Sequence, residues 1–186
     1  RCPAHAYYCA PMSNSAIPSY VDTRKVFLQE GNLVGTIEFS RMKRFYECLL
    51  ENQGNVQVEL EFSANKSKQR IIVGKLKASA PVACQRCLEA VQIDLEESFI
   101  LALVRRESDI DKLEEPLDPW ICEDHKLDVA ALIEEQLLLC LPIVSTHDDK
   151  GCLTNLGYDE QKNATLDVVS QDLSKNPFAI LKSLKD

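Results

Sequence analysis

The chain of 186 residues is 45% hydrophobic and 27% charged, the balance of a globular protein with apolar material for one sizeable core. A formal net charge of −8 argues against a broad nucleic-acid footprint, which needs surplus Lys and Arg to displace phosphate counterions. No apolar run approaches the roughly 20 residues of a membrane-spanning helix, so no membrane partner is expected.

Residues 1–11 (RCPAHAYYCAP) begin at Arg and precede a Met12-Ser-Asn-Ser that reads as a translation start, so they are expected to be a non-native leader. Six of the eight cysteines lie beyond it. Their irregular spacing, with no secretory signal in view, favours reduced thiols in the cytoplasm over a disulfide framework. Residues 13–32 have little periodicity and read as an extended lead-in. Leu33–Phe39 (LVGTIEF) reads as a first strand, and Ser40 as the cap of a helix over about 41–52. Met42, Phe45, Cys48 and Leu49 share one face of that helix, which makes Cys48 a buried thiol, as Cys140 is on a later helix.

After Gly54, Val56, Val58, Leu60 and Phe62 alternate with polar residues, the pattern of a strand with one wet face. A polar loop at Asn65–Lys68 turns the chain into a second alternation from Arg70 to Val82, whose outer face carries Lys75 and Lys77. Acidic residues on the neighbouring strand offer these lysines cross-strand partners. Cys84-Gln85-Arg86-Cys87 follows, and a third alternation runs from Val91 to Leu103, so the CxxC falls at a hairpin turn. Glu97 breaks the apolar parity and predicts a bulge or an edge position.

Residues 105–126 are acidic and rich in turn formers, a surface loop that Trp120 anchors to the core. Asp128 can cap a helix over about 127–141 in which Val129, Leu132, Ile133, Leu137 and Cys140 recur at helical spacing. Leu138, Leu139 and Leu141 extend its apolar surface nearly all the way round, predicting burial on most sides. Pro142 stops it, and an extended exit leads to His147 and Cys152. Residues 148–175 read as a polar tether. Asn176 and Pro177 then open a short amphipathic C-terminal helix (176–186) with Phe178, Leu181 and Leu184 on one stripe. The expected fold is α+β: a mostly antiparallel sheet or partial barrel of about four to six strands, packed with the buried helix, the helix near 41–52 and the C-terminal helix. Residues 12–147 form its single domain.

Glycine-rich phosphate loops, a nucleophile elbow and paired zinc-protease histidines are all missing, so no enzyme is expected. The CxxC is the sharpest chemical feature. A redox role needs the first Cys at a helix N-terminus, which a hairpin turn does not offer. The same turn can present two thiolates to one tetrahedral metal, zinc being the natural candidate cofactor. The second pair is His147 with Cys152, or Cys122 with His125; otherwise Cys84 and Cys87 stay free thiols.

CQRCLE after a strand, then DVAALIEEQLLLCLPIVSTH, then a terminal NPFAILKSLK resemble the bacterial YceD family, the large ribosomal RNA subunit accumulation proteins. The resemblance covers most of the chain from about Ile17. It implies a cytoplasmic, non-catalytic role in synthesis, processing or stability of 23S rRNA. Family members carry a Cys or His pair after the helix, which favours His147 and Cys152 as partners of Cys84 and Cys87.

Charge is divided in a way that suits such a role. Residues 41–106 hold 11 Lys and Arg against 8 Asp and Glu, whereas residues 107–186 hold 7 against 18. Phosphate of 23S rRNA or a large-subunit precursor would therefore meet Arg70, Lys75, Lys77 and Arg86. The acidic half and the face built from Asn176, Pro177, Phe178, Leu181 and Leu184 would meet ribosomal proteins or assembly factors. An adaptor that works through the acidic surface and terminal helix without touching RNA is the alternative.

Overall fold

Three long alternating segments force a sheet, because each must bury one face. The computed structural model describes residues 16–51, 53–114, 117–149 and 151–153. Residues up to Thr146 form one unit and His147–Asp186 a second. The leader, most of the tether and the whole terminal helix, with Asn176, Pro177, Phe178, Leu181 and Leu184, lie outside the described residues.

Strands β2 (Asn32–Glu38), β3 (Asn55–Ala64), β4 (Arg70–Ala83), β5 (Ala90–Val104) and β6 (Asp118–Ile121) form a five-stranded sheet in the order β2-β3-β4-β5-β6. The first four run antiparallel, and β6 pairs parallel to β5, so the sheet is mixed. A separate two-stranded ribbon joins β1 (Tyr20–Asp22) to β7 (Lys126–Asp128). The β4–β5 register runs unbroken from Arg70↔Leu103 to Ala83↔Ala90. There is thus no bulge at Glu97. Its inward-facing position falls where β5 has lost its second neighbour, since β6 pairs only with Leu101–Val104. The edge half of that expectation is the one the register fits.

Helix α3 (Val129–Cys140) closes the core, with Asp128 accepting from the Ala131 N–H at 3.1 Å as its cap. Val129, Leu132, Ile133, Gln136 and Leu137 form its buried stripe. Burial is narrower than the sequence suggests: Leu139 lies off that stripe and is 80% exposed. Leu141 takes an extended backbone, as a residue before proline prefers, and ends the helix.

The helix expected near 41–52 is a correction. The chain forms a 3-10 turn at Phe39–Arg41 and a single helical turn, α2 (Lys43–Tyr46), with Met42 outside the helical region between them. Phe39, Met42 and Phe45 are all fully buried, and a spacing of three suits consecutive 3-10-like turns better than one continuous helix. Cys48 is consequently exposed and not a core thiol. A support that no sequence pattern announces holds α2: Glu134 on α3 accepts from the Arg44 N–H at 2.6 Å and the Phe45 N–H at 3.2 Å. The lead-in is also more ordered than expected, containing β1 and a helix, α1 (Thr23–Leu28), capped by Asp22. The loop after β5 is built on β6, β7 and a 3-10 turn, Glu107–Lys112; Trp120 packs partly buried against the core.

Candidate metal centre and basic surface

Cys84 and Cys87 sit where β4 and β5 are joined by a tight turn. The Cys84 N–H donates to Glu89 O at 2.8 Å, and the Leu88 N–H returns to Cys84 O at 2.8 Å. Closing this ring puts Leu88 at φ 64°, a left-handed conformation that costs a non-glycine residue about 1–2 kcal/mol. Strain of this kind persists where surrounding bonds fix the backbone, and it concentrates at working sites. Both cysteines are buried.

The exit from α3 is bound to this same turn. The Gln85 N–H donates to Ser145 O at 2.9 Å, and its side-chain amide donates to Ile143 O at 3.1 Å. Ser145 is two residues before His147 in the chain, a reach of about 7 Å at most. One ligand atom from each of Cys84, Cys87, His147 and Cys152 lies within 4.8 Å of the others, a group that could hold a metal ion. Donors on a tetrahedral zinc with bonds near 2.3 Å are about 3.8 Å apart. Three sulfurs and one imidazole nitrogen form a closed structural set, in contrast to catalytic zinc, which keeps a position for water.

Cys122 and His125, the other pair that spacing offered, are outside that group. Burial, with Asp124 adding to it, pushes the Cys122 thiol up from its ordinary value. His125 instead faces cations: desolvation first, then the guanidinium of Arg105, hold its imidazole below the usual range.

The four basic residues expected to touch RNA are spread along β4 and do not converge. Arg70 opens the strand, with its guanidinium 5.6 Å from the Phe27 ring centroid. Lys75 and Lys77 lie on the exposed face. Their neighbours in register are Glu59 and Ser98 for Lys75, and Gln57 and Glu96 for Lys77. Lys77 is 3.8 Å from Glu96, both exposed, a pair worth little in water. Arg86 sits between the two cysteines, beyond the other end of the strand. Fourteen residues at about 3.4 Å each put Arg70 and Arg86 roughly 45 Å apart.

Sequence reasoning missed a second basic cluster, Arg105, Arg106 and Lys112, because the boundary between the cationic stretch 41–106 and the acidic stretch 107–186 runs through it. The clue available was local: two adjacent arginines directly at the end of a strand.

These features define an α+β protein with a mixed sheet, a cysteine–histidine group able to take a metal and a basic surface remote from it. No helix among the described residues is long and apolar enough to cross a membrane. The family model described as "Large ribosomal RNA subunit accumulation protein YceD" matches residues 72–185, more than half of the chain, and the chain belongs to that family. A relative from Haemophilus influenzae, named Large ribosomal RNA subunit accumulation protein YceD, is 29% identical over 177 residues, covering 94% of this chain and 99% of the relative. No solved structure matches the chain.

Proposed function

We propose that this protein is a non-enzymatic, cytoplasmic factor that supports the synthesis, processing or stability of 23S rRNA, acting on that RNA or on a large-subunit precursor. The observation that carries the reading is family membership across residues 72–185, because the family is named for accumulation of large-subunit RNA. RNA phosphate is met by basic residues along β4 and its turn, namely Arg70, Lys75, Lys77 and Arg86, which position the backbone without reading sequence. Zinc held by Cys84, Cys87, His147 and Cys152 fixes the turn and serves no chemical step.

Salt-dependent binding of the purified protein to large-subunit rRNA is the direct test. Affinity should fall steeply between low and physiological salt, as counterion release requires. No binding even at low salt would leave the protein-only adaptor as the better account. That second reading has its own support: Leu139, Ile143 and Val144 are exposed at and beyond the end of α3, a surface suited to an apolar partner. Truncation at Lys175 separates the two. Loss of protein partners with RNA binding intact favours the adaptor.

A further inference from the structure

We propose that the concave surface where the β3–β4 turn, the end of β5 and the Glu107–Lys112 turn meet is a cup for phosphates of an RNA backbone. Its cations are Lys68, Arg70, Arg105, Arg106 and Lys112. The inference rests on the RNA-directed reading above and shares only Arg70 with the four residues named there.

Two adjoining cavities occupy this surface. One, of about 330 Å³, is lined by Lys68, Arg70, Arg105, Lys112 and His125, among others; the second, of about 690 Å³, adds Arg106. They share Arg105, Asp109 and Lys112, so the basic lining continues from one to the next. Five Lys and Arg face two acidic residues, Asp109 and Glu123, and Lys112 is 2.7 Å from the Asp109 carboxylate. On a chain with a net charge of −8, this is a marked local reversal of sign.

The segments that form the cup are held in place before any ligand arrives. Asn65 and Gln69 close the β3–β4 turn through side-chain and main-chain bonds, and Lys68 sits in it at φ 61°. The Gln69 amide donates to Lys112 O at 3.0 Å and the Ser67 hydroxyl donates to Glu114, tying this turn to the Glu107–Lys112 segment. From the other side, Thr23 fixes His125 through its N–H at 2.9 Å and its hydroxyl at 3.3 Å, both donating to His125 O. The Arg105 guanidinium rests against His125 Nε2. A fixed backbone places these cations side by side, and a guanidinium fork matches two oxygens of one phosphate. Desolvation first, and then the charge of Arg105, lower the pKa of the His125 imidazole.

The shape favours a polymer over a small metabolite. A small ligand needs a pocket that buries most of its surface. Here Lys68, Arg105, Arg106 and Lys112 are exposed and line two connected hollows, which suits consecutive phosphates of a strand lying across them.

The test uses the full chain and a fluorescent single-stranded RNA taken from the large-subunit rRNA, titrated at several salt concentrations. Replacing Arg105→Gln and Arg106→Gln together should weaken binding about tenfold or more and make the salt dependence shallower, by about one unit of slope for each phosphate no longer neutralised. A Lys68→Gln/Lys112→Gln variant, which spares the Arg105–His125 pair, should move in the same direction. A Lys25→Gln/Lys43→Gln variant removes two charges elsewhere and should stay within about twofold of the wild type. If the wild type binds RNA and both cup variants bind equally well, the cup is wrong while the RNA reading stands. If the wild type binds no RNA at low salt, that reading fails and takes the cup with it. If inorganic phosphate displaces the RNA at comparable concentration, the cup serves a free ion and its assignment to RNA is overturned.

Discussion

The two ends of the β4–β5 hairpin are built on opposite principles. At the Cys84–Glu89 end, buried thiols and main-chain hydrogen bonds fix a strained turn. At the Arg70–Leu103 end, exposed cations are held by side-chain bonds around a hollow. Burial at one end removes water from donors that a metal could use; exposure at the other keeps cations hydrated until an anion replaces the water. A hairpin with an unbroken register joins them. It keeps the buried cysteine turn and the charged surface about 45 Å apart, so neither perturbs the other electrostatically. One end is suited to holding the fold together and the other to meeting a polyanion.

The contrast breaks most visibly at the clamp. Cys84→Ser should remove about one equivalent of zinc per chain and cost several kcal/mol of stability, because metal binding and folding share one free energy. Metal analysis and urea unfolding of the wild type, the variant and the chelator-treated wild type provide the measurement. A wild type with no bound metal, and a variant within about 1 kcal/mol of it, would remove the clamp from the account. The next largest effect is expected in the hairpin itself. The Phe99 ring lies over Gly74, and a Cβ there would come within 2.1 Å of its Cζ. Gly74→Val should therefore cost about 1–3 kcal/mol through forced repacking, read from the urea midpoint.

Sequence legibility follows the same division. The strand pattern, the CxxC turn, the Asp128 cap and the Pro142 stop were all readable because each rests on residues adjacent in the chain. What escaped depends on partners distant in sequence. The lead-in folds as β1 and α1 because β7 and His125 receive it about a hundred residues later. The region near 41–52 is broken into short turns because three large side chains must reach the core at a spacing of three. The parallel strand β6 hides in an acidic loop whose composition says only that it is exposed. The basic cup was averaged away, since Lys68 and Arg70 belong to the cationic half of the chain while Lys112 belongs to the acidic one. A net charge per segment cannot show which side chains the fold brings together.

A smaller effect tests whether α2 depends on α3 as the geometry says. Glu134→Ala removes the acceptor for the Arg44 and Phe45 N–H groups, at 2.6 and 3.2 Å. The expected loss is about 1 kcal/mol, the usual cost of an N-terminal cap, and Glu134→Gln should recover part of it because its carbonyl oxygen still accepts. Equal stability of all three proteins in urea would show that water replaces the carboxylate without cost.

The smallest effect is a pH dependence at the cup. His125 titrates below its ordinary value in the folded chain, from desolvation and then from Arg105, so near pH 6.5 the unfolded chain binds more protons than the folded one. Stability then rises with pH through that region, and the His125 contribution is lost as pH falls below about 6.5. Asn accepts the left-handed backbone at φ 56° and carries no titrating proton, so His125→Asn should flatten this part of the profile. A phosphate-bearing strand in the cup favours the imidazolium and should flatten it as well in the wild type. Thermal midpoints at pH 7.5 and 6.0, with and without RNA, read both changes. Identical pH slopes for the wild type and His125→Asn would show that neither desolvation nor Arg105 shifts this imidazole enough to matter.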